Sequence, residues 1–445
     1  MELINFIYCL AAFILILIGI DISGAFSEKL PTTPDANKSL NSESFDGGAD
    51  IAISGIKTVD TNTGVDREFA RWRVLYSYYS KAAEGLKDRK KYELKNILER
   101  YVISSANVIQ AKSSPDVRII SEHVLCIDND SVERMKFEAR ENNLEMNVDE
   151  FVADIQKYLQ TSIYPSVRVN VDIGPARVEV SVKCASGDGA IPSGTNVTAD
   201  KFAYKYILTR RRYDALMRRA EAGASGTTTG VLGQNHIAKM LLRYECMYPG
   251  GQQWGSSEAD YTMLHNHYNV RLEGFASPKN SQLLYHADSY FCSLFYDTDR
   301  VFGSRGSFFA CDFVEFARQY PDLPYVGFLV GPPYIAHLMN DCMKKLLDEV
   351  EKMKRADIRA LVIFSCPAWR DAEYFIMGEA SPHKQFSKRL EANQHAYVDT
   401  SRIDPMTGEP PKVIAHFPSH LFGFTTGNFA PINFDKFGAE YHQIY

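Results

Sequence analysis

The tetrapeptide Gly331-Pro-Pro-Tyr334 has the composition of a rigid loop that carries an aromatic ring. It follows an apolar run at residues 325–330 that is typical of a buried strand, and its two prolines restrict the backbone. Methylation of an exocyclic base amine needs such a loop, because acceptors must orient the amine while the base stacks on an aromatic ring. The alternative interpretation is a stiff connector between a strand and a helix.

A second candidate segment, Phe275-Ala-Ser-Pro-Lys-Asn280, ends another apolar run at residues 270–276. Small residues at the end of a strand let the backbone approach a ligand closely. Ser277 and Asn280 have side chains that form hydrogen bonds with a ligand, or that cap the turn that follows. Both interpretations are consistent with the residues of this segment.

A third segment, residues 290–306, contains two acids and a glycine-rich turn. The carboxylates of Asp297 and Asp299 are suited to accept hydrogen bonds from ribose hydroxyls or from the amino-acid part of a nucleoside cofactor. The turn Gly303-Ser-Arg-Gly306 can present backbone N–H groups to an anion. An ordinary surface turn is the alternative.

The elements around these segments predict a parallel sheet. Apolar runs at 270–276, 325–330 and 361–364 alternate with helical patterns, and Leu338, Cys342, Leu346 and Val350 recur at helical spacing between the last two runs. Strand, helix, strand is typical of a parallel sheet with crossover helices. Because ligands bind such sheets at the carboxyl ends of the strands, we expect the three segments to meet at one edge.

The chain before residue 235 has a different composition. Residues 23–65 are rich in Ser, Asp, Asn, Thr and Gly and are interpreted as a disordered linker. Residues 66–222 mix helical patterns with alternating strand patterns, which predicts a helical and α+β accessory domain. Its last part, 202–222, is interpreted as a basic helix, and residues 223–233 as a linker. The basic residues of that helix are Arg210, Arg211, Arg212, Arg218 and Arg219.

Charge and cysteine content exclude some classes of protein. The net charge is −6 at pH 7, so any polyanion site must be a local basic patch. The eight cysteines are scattered without a CxxC pair, which argues against a zinc ribbon and against a disulfide framework. Buried single cysteines suit a reducing compartment.

The N-terminus carries a hydrophobic segment, residues 1–22, whose positions 4–20 are almost continuously apolar. This length is at the lower limit for a membrane span, and no Lys or Arg precedes it as in a usual secretory signal. Three interpretations stay open: a signal or membrane anchor, an extension from a misassigned start, and a buried helix. The first would place the chain in the secretory pathway or on a membrane.

Together, the three candidate segments resemble the phosphorylated-CTD-interacting-factor family of cap-specific adenosine N6-methyltransferases. The resemblance covers residues 235–430 and rests on the order of the motifs as much as on their letters. The flanking matches are Met240-Leu-Leu-Arg-Tyr244, the strand-like residues 361–370 with Trp369 and Arg370, His395-Ala-Tyr397, and a final strand at 413–424.

The resemblance implies a Rossmann-like α/β methyltransferase domain at 235–430 that uses S-adenosylmethionine and no metal. The implied substrate is N6 of the 2′-O-methyladenosine next to the cap of mRNA, and the implied compartment is nuclear or cytoplasmic. The implied residues are Phe275, Ala276, Ser277, Pro278, Asn280, Asp297, Asp299 and Gly303 for the cofactor, Gly331, Pro332, Pro333 and Tyr334 for methyl transfer, and Arg210, Arg211, Arg305, Trp369, Arg370, His395 and Tyr397 for the RNA.

The sequence departs from the family at Gly331, where the family has an asparagine whose side chain accepts from the amine. Three hypotheses follow: an active enzyme, a catalytically impaired relative that binds only RNA or cofactor, and a membrane-anchored or secreted methyltransferase with another substrate. We find no WW module in the N-terminal region, so the sequence does not imply binding to a phosphorylated polymerase tail.

Overall fold

The computed structural model describes residues 64–98, 101, 129–160, 164, 166–185, 203–223, 230–245, 254–400, 403–404 and 409–427. The described residues belong to one compact unit. The apolar run at 4–20 and the linker up to residue 63 lie outside the described residues. Across the part of the chain that the structure describes, no helix has the length and apolar character that crossing a membrane requires.

The accessory part of the described chain combines helices with a small antiparallel sheet. Its helices are α1 (Val65–Ala82), α2 (Asn129–Glu141) and α3 (Val148–Gln160), and residues 88–98 are helical as well; its strands are β1 (Val167–Ile173), β2 (Arg177–Cys184) and β3 (Tyr204–Thr209). Phe69 and Leu75 of α1 are fully buried. The mixed helical and strand character predicted for this part is therefore observed.

Two helices join the accessory part to the rest: α4 (Arg210–Gly223) and α5 (Gly230–Glu245). The helix predicted over 202–222 begins only at Arg210, because residues 204–209 pair with β2 instead. α5 packs against α1 and α4, and one hydrophobic core continues from α1 through α5 to Phe295 and Phe302. The predicted domain boundary between residues 222 and 235 therefore does not separate two cores.

The second part of the chain contains most of the strands. Its elements are β4 (Trp254–Gly255), α6 (Glu258–Tyr268), β5 (Val270–Glu273), β6 (Tyr290–Phe291), α7 (Tyr296–Asp299), α8 (Phe313–Ala317), β7 (Val326–Val330), α9 (Ala336–Arg355), β8 (Ala360–Pro367), α10 (Glu373–Ala380), β9 (Lys384–Leu390), β10 (Ala396–Asp399), β11 (Lys412–Ile414) and β12 (Ser419–Thr425). β4, β10 and β11 form a small sheet of their own in the order β11-β10-β4.

The main sheet has six strands in the order β6-β5-β7-β8-β12-β9. Neighbours from β6 to β8 are parallel, whereas β12 is antiparallel to both β8 and β9. The predicted α/β class is confirmed, with a sheet that is mixed: its strands from β6 to β8 are parallel, and the last two pairings are antiparallel. The single strand predicted over residues 413–424 is wrong: β11 pairs with β10, and β12 enters the main sheet separately.

Side chains on both faces of the main sheet are buried. In β8, Leu361 and Ile363 belong to the core on the face of α6, whereas Val362 and Phe364 belong to the core that contains residues of α9. The strands of parallel sheets that are covered on both faces have continuous apolar runs in their sequence. Apolar and polar residues therefore do not alternate in β8. The sequence pattern at 361–364 therefore reflects a central strand.

Gly327 of β7 allows two parallel strands to approach closely. A Cβ at this position would lie 2.4 Å from the carbonyl oxygen of Tyr268 and 2.8 Å from the backbone nitrogen of Val270. Both atoms are backbone and have little freedom to shift, so only glycine fits. This contact fixes the register of β5 and β7, whose carboxyl ends carry the candidate loops.

Candidate active site

The loops after β5 and β7 leave the main sheet at neighbouring points of the same edge. β5 and β7 are adjacent and parallel, and the strand order reverses between them, since β6 lies beyond β5 and β8 beyond β7. The backbone N–H of Gly274 donates to the carbonyl of Leu329 at 2.7 Å. In open α/β sheets, ligands bind in the crevice at such a reversal. The predicted meeting of the two loops is therefore observed.

The polar residues of the loop after β5 are engaged with each other. The backbone N–H of Ser277 donates to Oδ1 of Asn280 at 2.7 Å, and Oγ of Ser277 accepts from the N–H of Asn280 at 3.2 Å. Ser277 and Asn280 are buried, as is Pro278 between them. The capping interpretation of these two side chains is therefore the one that the structure shows.

This loop instead offers apolar surface to a ligand. Phe275 and Ala276 are half-buried, and the ring of Phe275 packs against Phe308 at 4.8 Å and Phe309 at 6.1 Å between centroids. Phe309 is 39% exposed, which is unusual for a phenylalanine beside a sheet edge. Apolar faces of this kind suit a purine ring or an aliphatic chain.

The carboxylates of Asp297 and Asp299 already accept hydrogen bonds from the protein. Both guanidinium nitrogens of Arg243 donate to Asp297, at 3.1 and 2.8 Å. Asp299 is fully buried and accepts from the Tyr244 hydroxyl at 2.5 Å. The prediction that these acids contact a ribose does not fit this geometry, because an incoming hydroxyl would have to displace a protein donor. They hold the loop at 292–306 in place.

Burial raises the pKa of two carboxyl groups close to the site. Burial raises the pKa of Asp299 to about 7, despite the hydrogen bond from Tyr244. It also raises the pKa of Glu273, at the end of β5, to about 7, although Tyr261 and Ser281 both donate to that carboxylate. Both groups therefore favour the protonated form in the folded protein far more than in the unfolded chain.

Asp299→Asn is expected to change how stability depends on pH. A carboxyl whose folded pKa is raised from near 4 to about 7 stabilises the fold fully below pH 4 and loses that contribution as the pH rises to 7. Relative to the wild type, the variant should gain about 1 kcal/mol in free energy of unfolding per pH unit across that window. Urea unfolding at pH 5, 6 and 7 measures this difference.

The matched control for that experiment is Asp322→Asn, because Asp322 is exposed and lacks the burial that causes the shift. Glu273 is common to both proteins, so its own titration cancels in the difference. A constant difference between Asp299→Asn and the wild type from pH 5 to 7 would show that Asp299 is ionised in the folded protein.

The glycine-rich turn at 303–306 is closed by its own contacts. Gly303 has a φ of +100°, and its N–H donates to the carbonyl of Arg300 at 3.1 Å. The guanidinium of Arg305 lies over the ring of Tyr290 at 3.9 Å and donates to Gln319 at 2.8 Å. Arg305, predicted to bind RNA, therefore packs against the residues next to α8 instead.

The diproline loop contains an open position, Gly331, next to a buried one, Pro332. Gly331 is exposed, its φ lies outside the left-handed region, and a Cβ built on it would meet no atom within 4 Å. Pro332 is buried, and the carbonyl of Pro333 accepts from the N–H of Ile335 at 2.7 Å. The loop therefore has room for a longer side chain at Gly331 while its following turn is fixed.

Aromatic side chains surround Tyr334. Its hydroxyl lies 2.8 Å from that of Tyr397, and its ring meets Phe417 edge-on at 5.7 Å. The ring of Trp254 stacks on Tyr397 at 6.4 Å. Trp254 reaches this place because β4 pairs with β10, and a Cβ on the next residue, Gly255, would lie 3.9 Å from the carbonyl of Asn280. The small sheet thus joins the loop after β5 to the aromatic cluster.

Known proteins resemble this region. The family model for the phosphorylated CTD interacting factor 1 WW domain matches residues 212–400, which run from α4 through β10. This match covers less than half of the chain and supports the predicted resemblance to the phosphorylated CTD interacting factor family. Because the description of that model includes a WW domain, the prediction that the chain lacks a WW module is wrong. In this chain the matched residues include strands β4 to β10 and the loops at 274–280 and 331–334.

Two curated relatives share part of the sequence. One is the mRNA (2'-O-methyladenosine-N(6)-)-methyltransferase of Mus musculus, 27% identical over 218 residues, which are 46% of this chain and 28% of the relative. The protein of the same name from Homo sapiens is 26% identical over 218 residues, with the same coverage. The chain therefore spans about a quarter of the length of the curated relatives it matches.

Two residues of the family resemblance, Trp369 and Arg370, follow β8 at the same edge as the diproline loop. The N–H of the preceding Ala368 donates to the carbonyl of Pro418 at 3.0 Å, which places this turn beside the aromatic cluster. Trp369 is half-buried, with its ring 6.3 Å from that of Tyr374, and Arg370 is exposed. Arg370 is thus the predicted RNA contact whose charge faces solvent at this edge.

The other predicted RNA contacts are engaged elsewhere. Arg210 pairs with Asp214 at 2.8 Å on its own helix, and Arg211 pairs with Glu258 while lying over the ring of Tyr285. The neighbouring arginines of α4 likewise donate to the segment after β5: Arg212 to Ser281 and Gln282, and Arg219 to backbone carbonyls from Leu283 to Ser289. The basic helix therefore docks the accessory part onto the sheet.

Sequence reasoning missed several residues that shape the site. Arg243, Glu68 and Ser419 are fully or almost fully buried polar residues, and none was assigned a role. Arg243 carried a signal, since it is the one cation in the apolar run Met240-Leu-Leu-Arg-Tyr244. Ser419 carried none, because a serine at the start of a strand is common. Among the described residues, no group of three or more His, Cys, Asp or Glu is placed to hold a metal ion.

Proposed function

We propose that this chain is an S-adenosylmethionine-dependent RNA methyltransferase that acts on N6 of the cap-adjacent 2′-O-methyladenosine of mRNA. The observation that carries the proposal is the exit of the loops 274–280 and 331–334 from neighbouring parallel strands where the strand order reverses. The names of the two curated relatives support the reaction. Such an edge can hold a donor and an acceptor side by side, which reaction between them requires.

The residues at this edge fit the cofactor through shape more than through charge. The half-buried ring of Phe275 and the exposed ring of Phe309 offer apolar faces at the end of β5. Asp297 and Asp299 hold the loop at 292–306 in place, and they are not assigned a direct contact with the cofactor. When bound, S-adenosylmethionine supplies an electrophilic methyl group on a sulfonium.

The chain's contribution to the reaction is orientation. The exocyclic amine must present its lone pair in line with the methyl group, so acceptors on the protein must take its two N–H bonds. The backbone carbonyls of the diproline loop and the ring of Tyr334 are the groups available at the end of β7. Without a side-chain acceptor at Gly331, this orientation depends on backbone and ring alone.

The exposed Arg370 and the half-buried Trp369 are proposed to meet the capped end of the RNA. Their turn adjoins the aromatic cluster, and aromatic and guanidinium groups are the usual partners of unstacked bases and phosphates. Arg210, Arg211 and Arg219 of α4 are not assigned this role, because acids and carbonyls already pair with them.

Two measurements on the protein test this proposal. Calorimetry with S-adenosylmethionine is expected to show binding, and transfer of labelled methyl is expected to RNA that starts with a capped 2′-O-methyladenosine. RNA that starts with a capped guanosine, and uncapped RNA, should remain unlabelled. Absence of cofactor binding, or equal labelling of all three RNAs, would contradict the proposal.

A catalytically impaired relative that binds RNA or cofactor only is the second candidate. The observation that favours it is Gly331, which is exposed and carries no acceptor where the related motif has an asparagine. Cofactor binding together with the absence of transfer to every RNA would assign the chain to this class.

A further inference from the structure

A chain of four hydrogen bonds leads from the diproline loop to the backbone behind β10. The hydroxyls of Tyr334 and Tyr397 are 2.8 Å apart, and that of Tyr397 lies 2.9 Å from Oγ of Ser419. Oγ of Ser419 is 2.8 Å from Nε2 of His395, whose Nδ1 is 2.9 Å from the carbonyl oxygen of Glu391. Ser419 is fully buried and His395 is 1% exposed, so water does not compete for the bond between these two side chains.

The donor and the acceptor of each of these hydrogen bonds can be assigned by starting from the carbonyl of Glu391. A carbonyl oxygen only accepts, so Nδ1 of His395 carries a proton and donates to Glu391. Burial lowers the pKa of His395, so the ring is neutral at pH 7 and its Nε2 accepts from the hydroxyl of Ser419. The Ser419 oxygen is then left to accept from Tyr397, and Tyr397 in turn accepts from Tyr334.

We propose that this series of hydrogen bonds holds the ring of Tyr334 in position, with Ser419 and His395 as the positioning residues. The ring is fixed at both ends, by the proline backbone before it and by its hydroxyl, and it meets Phe417 edge-on at 85°. A phenylalanine at 334 would lose the second attachment. The inference rests on the proposed function, in which this ring orients the target base.

The hydrogen bonds that hold Tyr334 compensate in part for the absence of a side-chain acceptor at Gly331. With one fewer hydrogen bond to the amine, the base depends more on the aromatic ring for its orientation. Small errors in the placement of reacting groups are costly, since a displacement of about 1 Å can reduce rates about 100-fold. A ring held by a directed chain of hydrogen bonds restricts such displacements.

A double-mutant cycle on kcat tests the chain. Tyr334→Phe and Ser419→Ala are each expected to lower kcat on the order of 10-fold, and the double variant should be no slower than the slower single variant. Independent roles would instead multiply the two losses. The cofactor Kd should remain within about twofold in all variants, because neither hydroxyl is assigned to the cofactor.

The matched control is Ser387→Ala. Its hydroxyl lies 2.7 Å from Nε2 of His420, a serine–histidine pair in the same sheet with no link to Tyr334. This variant should leave kcat unchanged. A loss equal to that of Ser419→Ala would show that the effect is one of sheet stability.

A second readout is independent of activity. In NMR spectra of protein with labelled tyrosine and histidine, His395 should show the tautomer with the proton on Nδ1, and Ser419→Ala should shift the Cζ resonance of Tyr334. Ser387→Ala should shift neither. If the wild type transfers no methyl group the proposed function fails, and an unchanged Tyr334 resonance in Ser419→Ala would overturn the hydrogen-bond chain by itself.

Discussion

Gly331→Asn is expected to raise kcat for methyl transfer to capped RNA by about 10- to 100-fold. An asparagine side chain would add an acceptor for the exocyclic amine where Gly331 supplies none. One such hydrogen bond contributes roughly 1–3 kcal/mol where its absence leaves a donor unpaired. Single-turnover kinetics on RNA that starts with capped 2′-O-methyladenosine measures the change, with cofactor binding measured alongside.

The structure permits this substitution without rearrangement. A Cβ on Gly331 would meet no atom within 4 Å, the residue is exposed, and its φ is not in the left-handed region. The backbone can therefore accept a side chain, and the longer amide has space around it. The native glycine is not required by the conformation of the loop, unlike Gly327 in the strand before it.

Gly331→Ala separates the acceptor from the backbone. Alanine also restricts the loop but adds no hydrogen-bond acceptor, so it should leave kcat within about twofold of the wild type. An equal gain in both variants would assign the effect to a stiffer loop. No gain with asparagine would mean that the backbone carbonyls already satisfy the amine.

Arg243→Met is expected to lower the free energy of unfolding by about 3–5 kcal/mol. Arg243 is fully buried, and its guanidinium donates to Glu68 at 2.6 and 2.9 Å and to Asp297 at 2.8 and 3.1 Å. Methionine fills similar volume but leaves two carboxylates facing each other without a cation between them. Urea unfolding at pH 7 measures the loss.

The electrostatics of this cluster explain the size of the effect. Burial alone would raise the pKa of Glu68, yet the guanidiniums of Arg243 and Arg71 lower it to about 2. Arg71 donates to the same carboxylate at 2.6 Å and remains in the variant. The penalty therefore falls mainly on Asp297, whose carboxylate forms its ion pair with Arg243.

The control is Arg300→Met, since Arg300 is exposed and its loss should change stability by no more than about 0.5 kcal/mol. The Arg243→Met/Asp297→Leu double variant should recover part of the stability lost by Arg243→Met, because the unpaired charge is removed as well. A change below 1 kcal/mol for Arg243→Met would mean that water or a rearranged Lys239 reaches the carboxylates.

Local patterns predicted much of the fold. The apolar runs at 325–330 and 361–364 are central parallel strands, and the residues Cys342, Leu346 and Val350 form the buried face of α9. These predictions succeed because burial on both faces or on one helical stripe leaves a period in the sequence itself. The small strand β4 escaped prediction, since two residues carry no period.

The loops of the predicted site leave neighbouring strands as expected, whereas several predicted contacts do not fit the structure. The strand ends fixed where the loops at 275–280 and 331–334 would meet, because neighbouring parallel strands end at one edge. The partners of the charged residues did not follow from the sequence. Asp297, Asp299 and Arg219 have the residue types that bind ligands, yet other groups of the protein already pair with them.

The sequence by itself determined the α/β class, the sheet edge and the diproline loop, since each depends on neighbouring residues. Only the tertiary structure decided which polar groups are available to a ligand and which are paired within the protein. Arg243 forms a hydrogen bond with Glu68, 175 positions away in the sequence, and Tyr334 forms one with Tyr397, 63 positions away. Such pairs depend on how whole elements pack, because a buried charge or hydroxyl must find its partner wherever the fold brings one.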